Sequence, residues 1–424
     1  MTAPIPDRVL TQHALTGTWQ SLALPVQDLE YGDELNGPGS LTGRLSPRLV
    51  SQNPTLLDPG TTLIYVESAG QLRWGGLIWD VRPQGDTFMI EAAGWSSYLQ
   101  KRFDLDGQLG GRGPWVNADR CQVIRDAWAY AQSIADGSLG VVVDSTASTS
   151  TVGTTAERHE SNWWDSQSIG DMVDDLVSGE ATPDYTCTTT WTADKTAPVR
   201  RIRLGWPRLG ARRTDITFSS GVNIIEDPEV PFSGDEYAQV VIGMGAGDGS
   251  AKRRQVSAIR NGRLRLEHVA DFPEVKANDT LASLTSAERK RREVLGSVDQ
   301  ITIRNTSAAP FGSWQVGDDV YVRVHNAWVD YVGWRRITGW TTRPHATGGP
   351  QAVIDLKPAD AYTYAGVRPL TSAANWNPCR SALPRWSVPP ACPPRPSTTR
   401  PCRSGTAPGP CAASWGSRAT APPR

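Results

Sequence analysis

The sequence predicts a mainly β chain with minor α content (β + minor α). The expected architecture is two related small antiparallel β-barrels, a mixed α/β insert and a disordered C-terminal tail. Three observations carry this. Short runs of Val, Ile, Thr, Tyr and Trp are separated by Gly, Pro, Asn and Asp at close intervals through the first 370 residues. One three-strand phrase occurs twice in the chain, 257 to 264 residues apart. Beyond residue 370 the composition shifts to Pro, Arg, Ser, Ala and Cys with no apolar period.

Each element has a local reason. Strands are expected at 17–26, 39–45, 62–67, 72–81, 87–93, 185–191, 200–206, 237–244, 255–259, 298–303, 320–324, 336–342 and 351–356. Asn36-Gly37-Pro38-Gly39, Asp58-Pro59-Gly60, Asn261-Gly262 and Gly348-Gly349 supply turns between them. Helices are few. Residues 118–135 carry an i, i+3/4, i+7 stripe with Asn117 as expected N-cap. Ser168 opens a second helix faced by Ile169, Met172, Val173, Leu176 and Val177, which Gly179 ends. Residues 279–294 form a third with a charged, solvated end.

The repeat is specific in order. Its first copy runs from Pro59-Gly60 through Tyr65-Val66, then Trp79-Asp80-Val81-Arg82-Pro83, then Ile90-Glu91-Ala92. Its second runs from Val316-Gly317 through Val322-Arg323, then Trp340-Thr341-Thr342-Arg343-Pro344, then Ile354-Asp355-Leu356. Each copy is a strand opened by a Gly turn, a strand ending Trp-x-x-Arg-Pro, and a third strand. Trp79, Arg82, Pro83, Trp340, Arg343 and Pro344 are its signature residues, and a proline suits a strand's exit because it cannot donate to a ladder. Expected domains are a first barrel over 1–104, completed by strands in 199–231; an α/β insert over 105–198; a second barrel within 232–370; and the Pro/Arg/Cys-rich tail, 371–424. Two barrels per chain in a closed trimer would present six similar units around one axis.

Composition excludes several function classes. The chain has 424 residues, net charge −1 and 38% hydrophobic residues, with 40 glycines that bring it to an ordinary globular composition. The longest apolar run, Val240–Gly247, is far short of the roughly 18 residues that span a bilayer, so no stable membrane insertion is expected. No signal peptide is legible at the start. Residues 1–370 carry net −8 and the tail +7; a body at −8 argues against a general nucleic-acid binder, and no sequence-specific nucleic-acid partner is expected. Cys121 and Cys187 are the body's two cysteines, fitting a reducing compartment. Cys379, Cys392, Cys402 and Cys411 lack the tight pairs of a zinc site. The tail reads as a disordered extension, native or out of frame, or as a basic arm.

The residues of catalysis do not assemble. His13, His159, His268, His325 and His345 form no HExxH or i, i+4 pair. His159, beside Glu157, Arg158 and Glu160, reads as a solvated loop. Gly243, Gly245, Gly247 and Gly249 alternate instead of spacing as GxGxxG and read as a hairpin loop. Asp174-Asp175 and Asp318-Asp319 are carboxylate pairs that sequence cannot set across a cleft. The expectation is no catalytic residue, cofactor or metal. Among 17 tryptophans, most read as core or interface, and Trp163-Trp164 are the glycan-contact candidates.

The first hundred residues resemble the minor tail proteins, or tail-tip (baseplate) hub family, of long-tailed bacteriophages. The likeness lies in Trp19–Val26, Tyr31–Leu41, Leu72-Arg73-Trp74-Gly75-Gly76-Leu77-Ile78 and Glu91–Leu99, in the family's order. It is strongest over 15–105 and extends to about 370. The resemblance implies a structural, non-enzymatic virion protein at the tail tip, assembled in the host bacterial cytoplasm. It implies a homotrimer joining the six-fold tail tube and distal tail ring to three-fold fibre or spike proteins, with DNA passing through its channel. A host-surface glycan is a possible further partner. The alternatives are a host-glycan-binding receptor protein and a tail-associated cell-wall hydrolase.

Overall fold

The computed structural model describes residues 7–178, 181–228, 230, 234, 237–273, 275–293, 298–327, 329–343 and 350–359. The expected tail and Pro344 lie outside the described residues. The chain is mainly β, and ten of its strands follow one hydrogen-bonded path.

The N-terminal half contains β1 (Arg8–His13), β2 (Trp19–Leu24), β3 (Gln27–Glu34), β4 (Ser40–Leu45), α1 (Pro47–Gln52), β5 (Thr62–Ser68), β6 (Gln71–Gln84) and β7 (Thr87–Gly94). They pair antiparallel in the order β3-β4-β7-β6-β5-β1-β2. A two-residue turn, Gly85-Asp86, closes the β6–β7 hairpin, with Gln84 opposite Thr87. Val9, Leu41, Ile64, Val66, Ile78 and Ile90 fill the inner face.

The insert follows: α2 (Gln108–Gly111), β8 (Ala118–Asp119), α3 (Arg120–Ser133), β9 (Val141–Val143), β10 (Thr151–Val152), α4 (Ile169–Val177), β11 (Asp184–Trp191) and β12 (Pro198–Gly205). β11, β12 and β9 form a small sheet, and β8 pairs with β10. The cap of α3 is Asp119, which accepts from the Cys121 amide at 2.9 Å. The expected cap, Asn117, instead takes φ +48° two residues earlier. Ser168 caps α4 in a reciprocal box with Asp171. The apolar faces of both helices and of β11–β12 pack on Leu63, Tyr65, Leu77 and Trp95, the outer side of the first half. A Cβ on Gly75 would crowd Trp95 and Thr189, so glycine is required where the insert seats on β6. Cys121 and Cys187 are both free and buried.

β13 (Arg212–Ser219) leaves the insert and pairs in parallel with a strand of the C-terminal half. Next come β14 (Val240–Met244), β15 (Arg254–Ala258), β16 (Glu267–Asp271) and α5 (Asn278–Arg292), a three-stranded sheet with α5 packed on β14 and β15. The C-terminal half itself is β17 (Gln300–Arg304), β18 (Asp319–His325), β19 (Asp330–Arg343) and β20 (Gln351–Pro358). β13-β18-β19-β20-β17 surround Phe218, Val298, Ile301, Val320, Val322, Val324, Ile337 and Ile354.

Two expectations are corrected here. Strands from 199–231 do not complete the first half: β12 joins the insert sheet and β13 joins β18. Burial decides this, since Ile216 and Phe218 belong to the C-terminal core. The expected second barrel also contains a distinct unit, β14–β16 with α5, whose sheet shares no ladder with β17–β20.

Candidate functional site

The two halves meet where β19 outruns its partner. Its first part, Asp330–Arg336, pairs with β18. Its last part, Gly339–Thr342, pairs antiparallel with Tyr31–Glu34 of β3. A Cβ on Gly32 would overlap the Trp340 carbonyl, so glycine lets the two backbones close. Trp340 packs against both halves' cores. Its ring meets Tyr31 edge-on at 5.8 Å and Trp314 at 6.0 Å. Thr342 donates its hydroxyl to the Tyr31 carbonyl at 2.9 Å.

Buried ion pairs hold the insert to this junction. Arg336 of β19 reaches Asp184, at the start of β11, at 2.5 Å. Asp184 also accepts from the Leu209 amide at 2.8 Å. Asn36, in the β3–β4 turn, donates its amide to the Tyr185 carbonyl at 2.9 Å and accepts from the Tyr185 amide through its side chain at 2.7 Å. Beside it Arg208 donates to Asp319 at 2.6 Å, with both side chains sealed, and Arg212 lies 3.5 Å from the same carboxylate. Asp318 accepts from the Ala211 amide at 2.9 Å. Burial pushes the Asp318 and Asp319 carboxyls up, and the guanidiniums around Asp319 pull back. Such pairs cost desolvation and give geometric specificity more surely than stability. Here they fix the relative placement of β3, the insert and β19.

A cavity of about 740 Å³ opens at this junction, lined by Asp33, Asn36, Asp184, Arg208, Arg336 and Trp340 among others. Burial pushes the half-buried Asp33 carboxyl up to about 8.

The signature residues of the repeat fall on the two 14-residue strands, β6 and β19. Both carry a bulge just after an isoleucine, Ile78 or Ile337. In both, a glycine amide closes on that isoleucine's carbonyl at 2.7 Å, Gly60 on Ile78 and Gly317 on Ile337. The motif tryptophans, however, do not occupy equivalent places. The bulge falls at Trp79 in β6 but at Thr338 in β19, two residues before Trp340. Trp79 therefore faces the insert, donating to Ser97 at 2.8 Å, while Trp340 faces the joined cores. Arg82 is exposed and pairs with Asp80 at 2.9 Å and with Glu91. Pro83 pairs across from Phe88. Arg343 lies 3.9 Å from Glu30.

Trp163 and Trp164 stand 61% and 62% exposed, edge to face at 5.4 Å. His159 is not in a solvated loop: its backbone pairs with Trp115 and its ring lies 5.7 Å from that indole, where burial lowers its pKa. Among the described residues no cluster of three metal-ligating side chains occurs, and no helix is long and apolar enough to cross a membrane. Sequence reasoning noted Asp318-Asp319 only as a carboxylate pair. It missed Asp184, Arg208 and Arg336, whose partners are far away in the chain.

No family model matches the chain. No curated protein matches it in sequence. Among solved structures, the 43 kDa tail protein of prophage MuSo2 from Shewanella oneidensis is similar over 83% of this chain and 98% of that one, at 13% identity and TM-score 0.54. The tail protein from Neisseria meningitidis MC58 is similar over 84% of this chain and 97% of that one, at 12% identity and TM-score 0.50. The chain therefore shares the fold of these two tail proteins, the fold that the resemblance in its first hundred residues implies.

Proposed function

We propose that this chain is a structural component of a phage tail tip: a hub that forms a homotrimer and adapts the six-fold tail tube to three-fold fibre or spike proteins. The observation that carries the reading is the doubled meander, β5-β6-β7 and β18-β19-β20. Each has the same glycine-to-isoleucine closure, bulge and strand lengths, and the two are joined through β3 and β19. Three copies of such a chain bring six like units around one axis, which is how a three-fold object matches a six-fold ring. The fold shared with the two tail proteins supports the same reading. Its domains are then a first half built on β1–β7, the insert, and a second half built on β13 and β17–β20. Its place is the virion tail, with the distal tail ring and tube on one side and fibre or spike on the other, and DNA passing through the ring.

Native mass spectrometry of the full chain, alone and with its tail-ring partner, tests this. A species of three times the 46.0 kDa chain mass is expected. A monomer under both conditions overturns the reading.

A second reading concerns one loop only. The exposed Trp163–Trp164 pair offers indole faces of the kind that stack on sugar rings, so the hub would also touch a host-surface glycan there. Binding of host cell-wall glycan that survives in the Trp163→Ala/Trp164→Ala variant contradicts it.

A further inference from the structure

The geometry points to the overhanging edge of β6, residues Asp80–Gln84, as the strand edge through which a second copy of this chain joins the first; the inference rests on the trimeric reading above. β6 and β19 are each followed by a strand that pairs along their far side, β7 and β20. On the near side β5 covers β6 only from Gln71 to Leu77, and β18 covers β19 only from Asp330 to Arg336. Both near-side strands stop at the glycine-to-isoleucine closure. Beyond it the two copies differ. β19 continues into a ladder with β3. β6 continues through Gln84, and no described strand pairs with its near side there.

Aligned on the bulge, Asp80-Val81-Arg82-Pro83 stand where Gly339-Trp340-Thr341-Thr342 stand in the other half. An uncovered edge presents N–H and C=O groups with only water as partner and is a template for an added strand. The chain's own junction says what fits it. The overhang of β19 is covered by the opposite half of the same molecule, and that opposite half has been used once. The overhang of β6 therefore calls for the C-terminal half of another copy, in a head-to-tail contact that closes into a ring. Arg82 and Pro83 are exposed and Val81 is half-buried, so the edge is reachable. Pro83 has no N–H to give, which keeps the added ladder short. Arg82, tied to Asp80 and Glu91 across the hairpin, stiffens the overhang.

Hydrogen exchange read by mass spectrometry on the full chain tests this, at concentrations where native mass spectrometry shows monomer and then oligomer. Peptides covering Trp79–Gln84 are expected to exchange about tenfold or more slowly in the oligomer, while β2, at the far end of the sheet path, is unchanged. Val81→Pro removes one edge donor and is expected to weaken association about tenfold, with unchanged circular dichroism. The exchange measurement on the unaltered chain decides the matter even if that variant fails to fold. A trimer with no slowing at 79–84 overturns this edge and leaves the hub reading standing. Slowing that appears only when a different tail protein is added overturns the assignment to a second copy. A chain that is monomeric at every concentration overturns the edge assignment, and if it stays so with its ring partner, the hub reading as well.

Discussion

The β5-β6-β7 and β18-β19-β20 meanders share a skeleton and differ in what covers them. In β5, Leu63 and Tyr65 face the insert while Ile64 and Val66 face the inner core, so every residue from Thr62 to Val66 is buried. In β18, Val320, Val322 and Val324 fill the core while Tyr321 and Arg323 look outward on a face that the insert does not reach. The sequences record this. Leu63-Ile64-Tyr65-Val66 is a continuous apolar run, the mark of burial on both faces, and Val320-Tyr321-Val322-Arg323-Val324 alternates. A single strand plan has been fitted to two surroundings, with its inward positions kept aliphatic and its outward ones changed in polarity.

The comparison breaks hardest at the buried charges. The position that opens β18 is Asp319, opposite Arg336, and its counterpart in β5 is Leu63, opposite Leu77. Asp319→Ala removes the buried carboxylate that Arg208 and Arg212 share and is expected to cost about 3–5 kcal/mol in a urea unfolding series. A loss under about 1 kcal/mol would mean the pair is not sealed.

The outward residues give the next effect. Leu63→Ala opens a cavity under the insert and is expected to cost about 2–5 kcal/mol. Tyr321→Ala, at an outward position of β18, is expected to cost about 1 kcal/mol in the monomer. Equal losses would erase the distinction between covered and uncovered meanders.

The junction supplies a pH signature. With its folded value near 8 and its ordinary value near 3.8, Asp33 keeps a proton in the folded chain that the unfolded chain has already lost. Its contribution therefore falls as pH rises from about 4 to 8 and is flat above. Asp33 is only half-buried, so the effect is taken as about 1–3 kcal/mol. Asp33→Asn is expected to flatten that slope and to be the more stable protein at pH 8. A steeper slope in the variant would contradict the burial argument.

The smallest effect belongs to the exposed signature residue. Arg82→Ala loses surface pairs worth about 0.2–1 kcal/mol, and monomer unfolding should register no more. A larger loss would move Arg82 into the structural frame.

How much of this was legible follows from range. The 72–81 and 336–342 strands and the Ser168 cap follow from neighbours within a few residues. β3 was missed because Gln27–Glu34 holds four acidic residues and only two apolar side chains, Leu29 and Tyr31; it is a strand because β4 and β19 flank it. The β3–β19 junction joins residues 311 apart, beyond any local pattern. The repeat was found from Trp-x-x-Arg-Pro, yet the bulge shows that this motif is two residues out of structural register. Identity of side chains and equivalence of backbone position are separate facts, and a bulge is enough to separate them.

The most direct test of the account is electron microscopy of the assembled chain viewed down its axis. Six similar lobes in a closed ring, alternating between two kinds about a three-fold axis, are the expected image. Three lobes with no second, matching set would contradict it.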